Sequence, residues 1–150
     1  MSSVIRYGLL ALGLLAAVAF LPRLVNRMRK AEATTWTEPD ELHRQIESGR
    51  PLTVLDVRGA DEFTGPLGHI PGAVNIPLGE LDQRLDELRS TVNGDVAVVC
   101  RTDKRSAAAQ TILRNAGFKN VAVLRGGMER WAALERETVR AVSDKGPMTA

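Results

Sequence analysis

The stretch Asp95-Val96-Ala97-Val98-Val99-Cys100-Arg101-Thr102-Asp103-Lys104-Arg105-Ser106 decides how this chain is read. Val96 to Val99 is apolar on both faces, the pattern of a parallel strand covered on both sides. Polarity then switches to a short charged loop. Beyond it, Ser106 to Asn115 reads as a helix closed by Gly117. A strand leads in, a helix leads out, and Cys100 stands at the join. In parallel sheets, ligands bind beyond the carboxyl ends of the strands. The cysteine is therefore placed where such a fold carries its chemistry.

The flanking segments repeat the alternation. Upstream, Leu52 to Val57 is a compact apolar strand, and Ala73 to Ile76 is a second short one before Pro77. Downstream, Val121 to Leu124 is another buried strand, and Gly126-Gly127 turns into a last helix through Trp131 and Leu134. Thr37, with Asp40 three residues on and Pro39 in the first turn, predicts a helix start. Leu42 and Ile46 share one face of that helix, and Gly49 closes it. Leu81, Leu85 and Leu88 recur at i, i+4 and i+7, so 79–90 is predicted to be an amphipathic helix. Asn93-Gly94 marks a turn. Strands alternating with helices through short loops predict an α/β domain around a mostly parallel sheet.

Charge divides the 150-residue chain in two. The formal net charge is +2, from 20 Lys and Arg against 18 Asp and Glu. Residues 1–30 hold Arg6, Arg23, Arg27, Arg29 and Lys30 and no acidic side chain, so residues 31–150 carry 15 basic against 18 acidic groups. A nucleic-acid module would cluster Lys and Arg with aromatics; with 4% aromatics and the basic excess at one end, no nucleic-acid partner is expected. An apolar share of 44% excludes wholesale disorder. The single cysteine excludes an internal disulfide. With only His43 and His69 to join it, no structural zinc is expected, and nothing calls for another metal or a cofactor.

The basic end flanks an apolar run, Tyr7 to Leu21. Its 15 residues would span roughly 22 Å as a helix, and about 27 Å with Val4 and Ile5 added and Arg6 snorkelling outward. The run shows no polar face, unlike a core helix. The heavier basic flank follows it, which by the positive-inside rule puts that side in the cytoplasm. The expectation is a single-pass inner-membrane anchor over 1–25, a linker over 26–36, a cytoplasmic domain over 37–136 and a tail over 137–150, disordered from Ser143. Ala17-Val18-Ala19 resembles a small-x-small cleavage site, so export after signal-peptide cleavage is the alternative. The Lys and Arg at 23–30 are of a kind that binds anionic lipid headgroups, but as a plain topology signal they need no such role.

The cysteine loop favours a reactive thiol over an inert one. Successive backbone N–H groups in such a loop converge into an anion-binding nest, and the following helix adds its partial positive charge. Arg101, Lys104 and Arg105 add three positive charges and Asp103 removes one. These features favour a thiolate and hold an anionic substrate over it. A buried, inert cysteine continuing the Val-Val strand is the competing reading, and the charged residues after it argue against burial.

Leu55-Asp56-Val57-Arg58, Gly68-His69-Ile70-Pro71-Gly72-Ala73-Val74-Asn75-Ile76-Pro77, the Cys100–Ser106 loop and Leu124-Arg125-Gly126-Gly127-Met128-Glu129-Arg130-Trp131 together resemble the rhodanese domain over about 37–136. The resemblance implies a five-stranded, mostly parallel sheet flanked by helices, preceded here by one transmembrane helix. It implies sulfur transfer through a cysteine persulfide, with Cys100 as the persulfide-forming nucleophile. Residues 101–105 match the active-site loop, and Arg105 the basic residue that closes it. The family's loop often has Gly where Asp103 stands; Gly would serve a left-handed position, which Asp tolerates better than most residues. The architecture is similar to small membrane-anchored bacterial rhodaneses.

On this reading Cys100 attacks the outer sulfur of a donor such as thiosulfate, and loop N–H groups with Arg105 stabilise the departing anion. The sulfur then passes to an external thiol or cyanide. Related cysteine phosphatases use C-x5-R; the C-x4-R spacing here favours sulfur over phosphate. The rival from another class is a non-catalytic interaction module that its anchor brings to a membrane-protein partner. Arg58, at the end of its strand on the same sheet edge as Cys100, lines the pocket entrance or pairs with a carboxylate. Asp56 is expected to be buried and hydrogen-bonded. His69 is expected to be structural, Gly126-Gly127 to make a tight turn near the loop, and Trp131 to be core. Trp36 packs on the domain or meets the membrane interface.

Overall fold

A computed structural model describes residues 33–140. The apolar run at 7–21, most of the linker and the tail from Ser143 lie outside the described residues. Among the described residues no helix is long and apolar enough to cross a membrane.

Five strands form one sheet: β1 (Trp36–Thr37), β2 (Leu52–Asp56), β3 (Val74–Asn75), β4 (Asp95–Val99) and β5 (Asn120–Leu124). Their order is β1-β5-β4-β2-β3, and every pairing is parallel. The helices are α1 (Pro39–Glu47), α2 (Ala60–Phe63), α3 (Lys104–Asn115) and α4 (Gly127–Ala133). The register sets Asp56 beside Val99, so β2 and β4 end level with each other, just before Cys100.

Alternation along β4 builds two cores. Val96, Val98 and Cys100 join Leu55, Ile76, Leu81, Leu88 and, from α3, Ala109 and Leu113. Ala97 and Val99 join Leu42 of α1 and Met128 and Trp131 of α4. A strand with both faces buried has no polar positions to alternate, which is why Val96 to Val99 is uniformly apolar. Trp131 is core, as expected.

Three local expectations are corrected. Thr37 is not a helix start: with Trp36 it forms the edge strand β1, pairing with Val123 and Leu124, and Glu38 takes the N-cap position ahead of Pro39. A two-residue strand carries too little periodicity to be seen in sequence. The segment 79–90 is not one α-helix but two 3-10 segments, Leu78–Gln83 and Leu85–Thr91, broken at Arg84. At three residues per turn, Leu78 with Leu81 and Leu85 with Leu88 stack at i, i+3 and reach the same core. Finally, Glu137 and Val139, assigned to the tail, hold to the domain. The Glu137 carbonyl accepts from Trp131 Nε1 at 3.0 Å, and Val139 pairs with His69 as an antiparallel bridge.

Candidate active site

Cys100 follows the last residue of β4 and precedes a loop, Arg101 to Asp103, that opens α3. The carbonyls of this loop are turned to one side. Met128 N–H donates to the Cys100 carbonyl at 2.9 Å, and Glu129 N–H to the Arg101 carbonyl at 3.0 Å. The amino end of α4 thus satisfies the loop's acceptors. Among the described residues, no acceptor is found for the backbone N–H groups of Arg101 to Ser106. Those donors remain for an anion, as the nest reading requires.

Gly126 and Gly127 make this contact, as the turn reading anticipated. Both have positive φ, +75° and +55°. A Cβ on Gly127 would stand 2.1 Å from the Thr102 carbonyl oxygen and 2.4 Å from that of Cys100. Only a residue without a side chain allows α4 to approach the loop so closely.

The cysteine is more buried than its charged neighbours suggested: Cys100 is 1% exposed and belongs to the core. The loop folds over the end of the strand, so charge in residues 101–105 does not draw residue 100 outward. Arg101, Thr102 and Lys104 are exposed, and Asp103 and Arg105 half-buried. Ser106 is fully buried, with no hydrogen-bond partner for its hydroxyl. Asp103 stands at the N-cap position of α3, without a capping hydrogen bond from its side chain. Its φ of −154° is not left-handed, so this position does not call for Gly on that ground.

Two carboxylates that sequence reading missed stand against the loop. Glu62, from α2, makes a bidentate pair with Arg105, Nη1 to Oε2 at 2.6 Å and Nη2 to Oε1 at 2.8 Å. Glu129, from α4, accepts from Arg101 Nε at 2.7 Å. The Arg105 hydrogen bond holds the Glu62 carboxyl below its usual range, and Glu62 in turn raises Arg105, with a smaller contribution from Cys100. The formal charge around the loop is thus three basic groups against Asp103, Glu62 and Glu129, not the excess read from the loop alone. These partners lie 43 and 28 positions from their arginines, beyond any local motif.

Arg58 is paired with a carboxylate, one of the two readings its sequence position allowed. It is 1% exposed and pairs with the equally buried Asp56, Nη2 to Oδ2 at 2.6 Å. Its remaining donors reach the carbonyls of Glu62 at 3.1 Å and Gly68 at 2.7 Å. The guanidinium binds the loop after β2 to the sheet, and Arg58 also lines a cavity beside the cysteine loop. Asp56 is buried and hydrogen-bonded as expected. His69 is structural too, its Nδ1–H donating to the Phe63 carbonyl at 2.9 Å and its ring stacked on Phe63. Trp36 packs on the domain, under Arg125 at 4.6 Å.

A cavity of about 220 Å³ is lined by Arg58, Glu62, Pro66, Leu67 and Arg101, joining the loop after β2 to the cysteine loop. A larger one, about 630 Å³, lies at the opposite end of β4 and β5, near Asp95 and Asn120. The smaller one includes a residue of the cysteine loop, Arg101, and is the candidate site.

Residues 38–134 match the model of the rhodanese-like domain. The chain is 36% identical over 88 residues to the putative sulfur carrier protein YrkF of Bacillus subtilis, covering 59% of this chain and 45% of that one. Across three curated relatives, the chain spans 45%, 62% and 38% of their lengths. Among solved structures, it is similar to a rhodanese-related protein of Thermoplasma volcanium (30% identity, TM-score 0.62, 70% of this chain and 97% of that one). It is also similar to a thiosulfate sulfurtransferase of Pseudomonas aeruginosa (29% identity, TM-score 0.64, 71% of this chain and 20% of that one). The strand order, the cysteine at the carboxyl end of the central strand and these matches agree: the chain belongs to the rhodanese-like domain family.

Proposed function

We propose that this protein is a sulfurtransferase that carries sulfane sulfur on Cys100. The observation that supports it most is the division of the loop's polar groups. Carbonyls of Cys100 and Arg101 are bonded to α4, and N–H groups of Arg101 to Ser106 are left for an anion. With thiosulfate as donor, the Cys100 thiolate attacks the outer sulfur. A new S–S bond forms, the bond between the two donor sulfurs breaks with its electron pair, and sulfite leaves. The loop N–H groups and Arg105 stabilise that charge. An external thiolate then attacks the outer persulfide sulfur, takes it as its own persulfide and regenerates Cys100; cyanide would leave as thiocyanate. The chain has one cysteine, so the acceptor thiol comes from outside.

The test is intact-mass measurement after thiosulfate treatment. A gain of about 32 Da, one sulfur, is expected on the wild type and none on Cys100→Ser. An unchanged mass across several donors would overturn the reading. It would favour the rival, a non-catalytic module recruited to a membrane-protein partner, for which the burial of Cys100 speaks. The proposal places the domain on the cytoplasmic side of an inner membrane, anchored by 1–25. A C-terminal reporter that reads outside the cytoplasm would refute that placement, in favour of export after cleavage.

A further inference from the structure

Arg105 is the one loop side chain the sulfur-transfer reading assigns to the departing anion, yet in this structure its guanidinium is already occupied. The occupant is a carboxylate of the same chain, Glu62, held through both oxygens at 2.6 and 2.8 Å. The pair is about one-third exposed on each side, 37% for Arg105 and 32% for Glu62, so solvent and small solutes reach it. Glu62 also lines the cavity that runs to Arg101. Its place is not accidental to the loop. The buried Arg58 grips the Glu62 carbonyl at 3.1 Å and so ties the backbone of α2 to the end of β2. The carboxylate is thus presented to Arg105 from a fixed base.

An arginine fork matches a pair of oxygens on one centre, whether carboxylate or another oxyanion. We propose that Glu62 is a specificity-determining residue: an internal competitor whose carboxylate holds Arg105 until the oxyanion end of the sulfur donor displaces it. This rests on the sulfur-transfer reading and sharpens its donor class. The donor is a sulfane sulfur borne on an oxyanion, such as thiosulfate or an organic thiosulfonate. Its oxygens take over the two Arg105 N–H groups that Glu62 gives up. Glu129, whose pair with Arg101 is more exposed and not bidentate, makes no such exchange of matched forks.

A half-exposed ion pair is worth a few tenths to about 1 kcal/mol, which corresponds to a competition factor of roughly two to five. Glu62→Gln should therefore lower KM for thiosulfate roughly two- to fivefold, with a smaller change in kcat. A second measurement does not depend on sulfur transfer. Alkylation rates of Cys100 by iodoacetate and by iodoacetamide are compared as a ratio, in which the thiolate fraction cancels and the affinity for the anionic carboxylate reagent remains. Glu62→Gln should raise that ratio roughly two- to fivefold. Glu87→Gln, which removes the same charge from the pair with Arg84, controls for net charge and should move the ratio far less.

An unchanged ratio in Glu62→Gln, an equal rise in Glu87→Gln, or no alkylation of Cys100 by either reagent would overturn the competitor role. Loss of the cooperative melt in Glu62→Gln would also overturn it, showing a structural clasp instead. If thiosulfate leaves no persulfide on the wild type while the ratio still rises, the sulfur-transfer reading falls and the competition for Arg105 stands.

Discussion

Gly127 is the point at which the fold and the cysteine loop test each other. In Gly127→Ala, the new Cβ would lie 2.1, 2.4 and 2.7 Å from the carbonyl oxygens of Thr102, Cys100 and Arg101. Ordinary contact distance is about 3.5 Å, so each oxygen is overrun by roughly 1 Å. Backbone oxygens cannot swing away as a side chain can. Relief requires the loop or α4 to shift, and that breaks the hydrogen bonds from Met128 and Glu129, together worth about 2 kcal/mol. The left-handed φ of +55° adds about 1–2 kcal/mol for any residue with a Cβ. The expected loss is roughly 3–4 kcal/mol, a large part of the ~5–15 kcal/mol that holds a domain together.

Gly72→Ala isolates the collision. Gly72 has a φ of +76°, and nothing lies within 4 Å of the place a Cβ would take, so it carries the backbone cost alone, about 1–2 kcal/mol. Melting followed by circular dichroism should show Gly127→Ala lower in Tm than Gly72→Ala by about 8–16 °C, at ~4–8 °C per kcal/mol for a domain near this size. Intact mass after thiosulfate should show the sulfur gain kept in Gly72→Ala and lost in Gly127→Ala at temperatures where both are folded. Equal Tm values with full sulfur uptake in both would refute the claim that α4 shapes the loop.

Two further outcomes are expected. Asp56→Asn leaves Arg58 charged and buried without its counter-ion, which should cost about 3–5 kcal/mol in urea unfolding; a loss under 1 kcal/mol would show the pair to be incidental. Glu62 has its carboxyl lowered by Arg105, so its contribution is present at neutral pH and disappears as pH falls below the ordinary carboxylate range, through its lowered folded value. The wild type should exceed Glu62→Gln in stability by about 0.2–1 kcal/mol at pH 7, discounted for exposure, and the two should converge in acid; a gap that widens in acid would contradict the pairing.

The parts of this protein legible in its sequence are those governed by neighbours along the chain. Val96 to Val99 declares a strand buried on both sides, because burial on both faces leaves no polar position. Cys100 and its loop declare a site, because a strand meets a helix there. Leu81, Leu85 and Leu88 declare a buried face but not its helix type, since a 3-10 turn and an α turn bury leucines at similar spacings. Trp36–Thr37 is not legible, because two residues carry no period and the strand exists only through β5.

Sequence by itself determined the fold class, the family and the candidate nucleophile, Cys100, since periodicity and contiguous motifs are local properties. Tertiary structure alone decided what surrounds Cys100 and its loop. Glu62 meets Arg105 across 43 positions, Glu129 meets Arg101 across 28, and Gly127 lies against the carbonyls of a loop some 25 residues before it. It turned a loop that reads as strongly basic into one whose arginines are both matched by carboxylates. Electrostatic pairing and close packing depend on distance in space, and only the folded sheet brings those groups within reach.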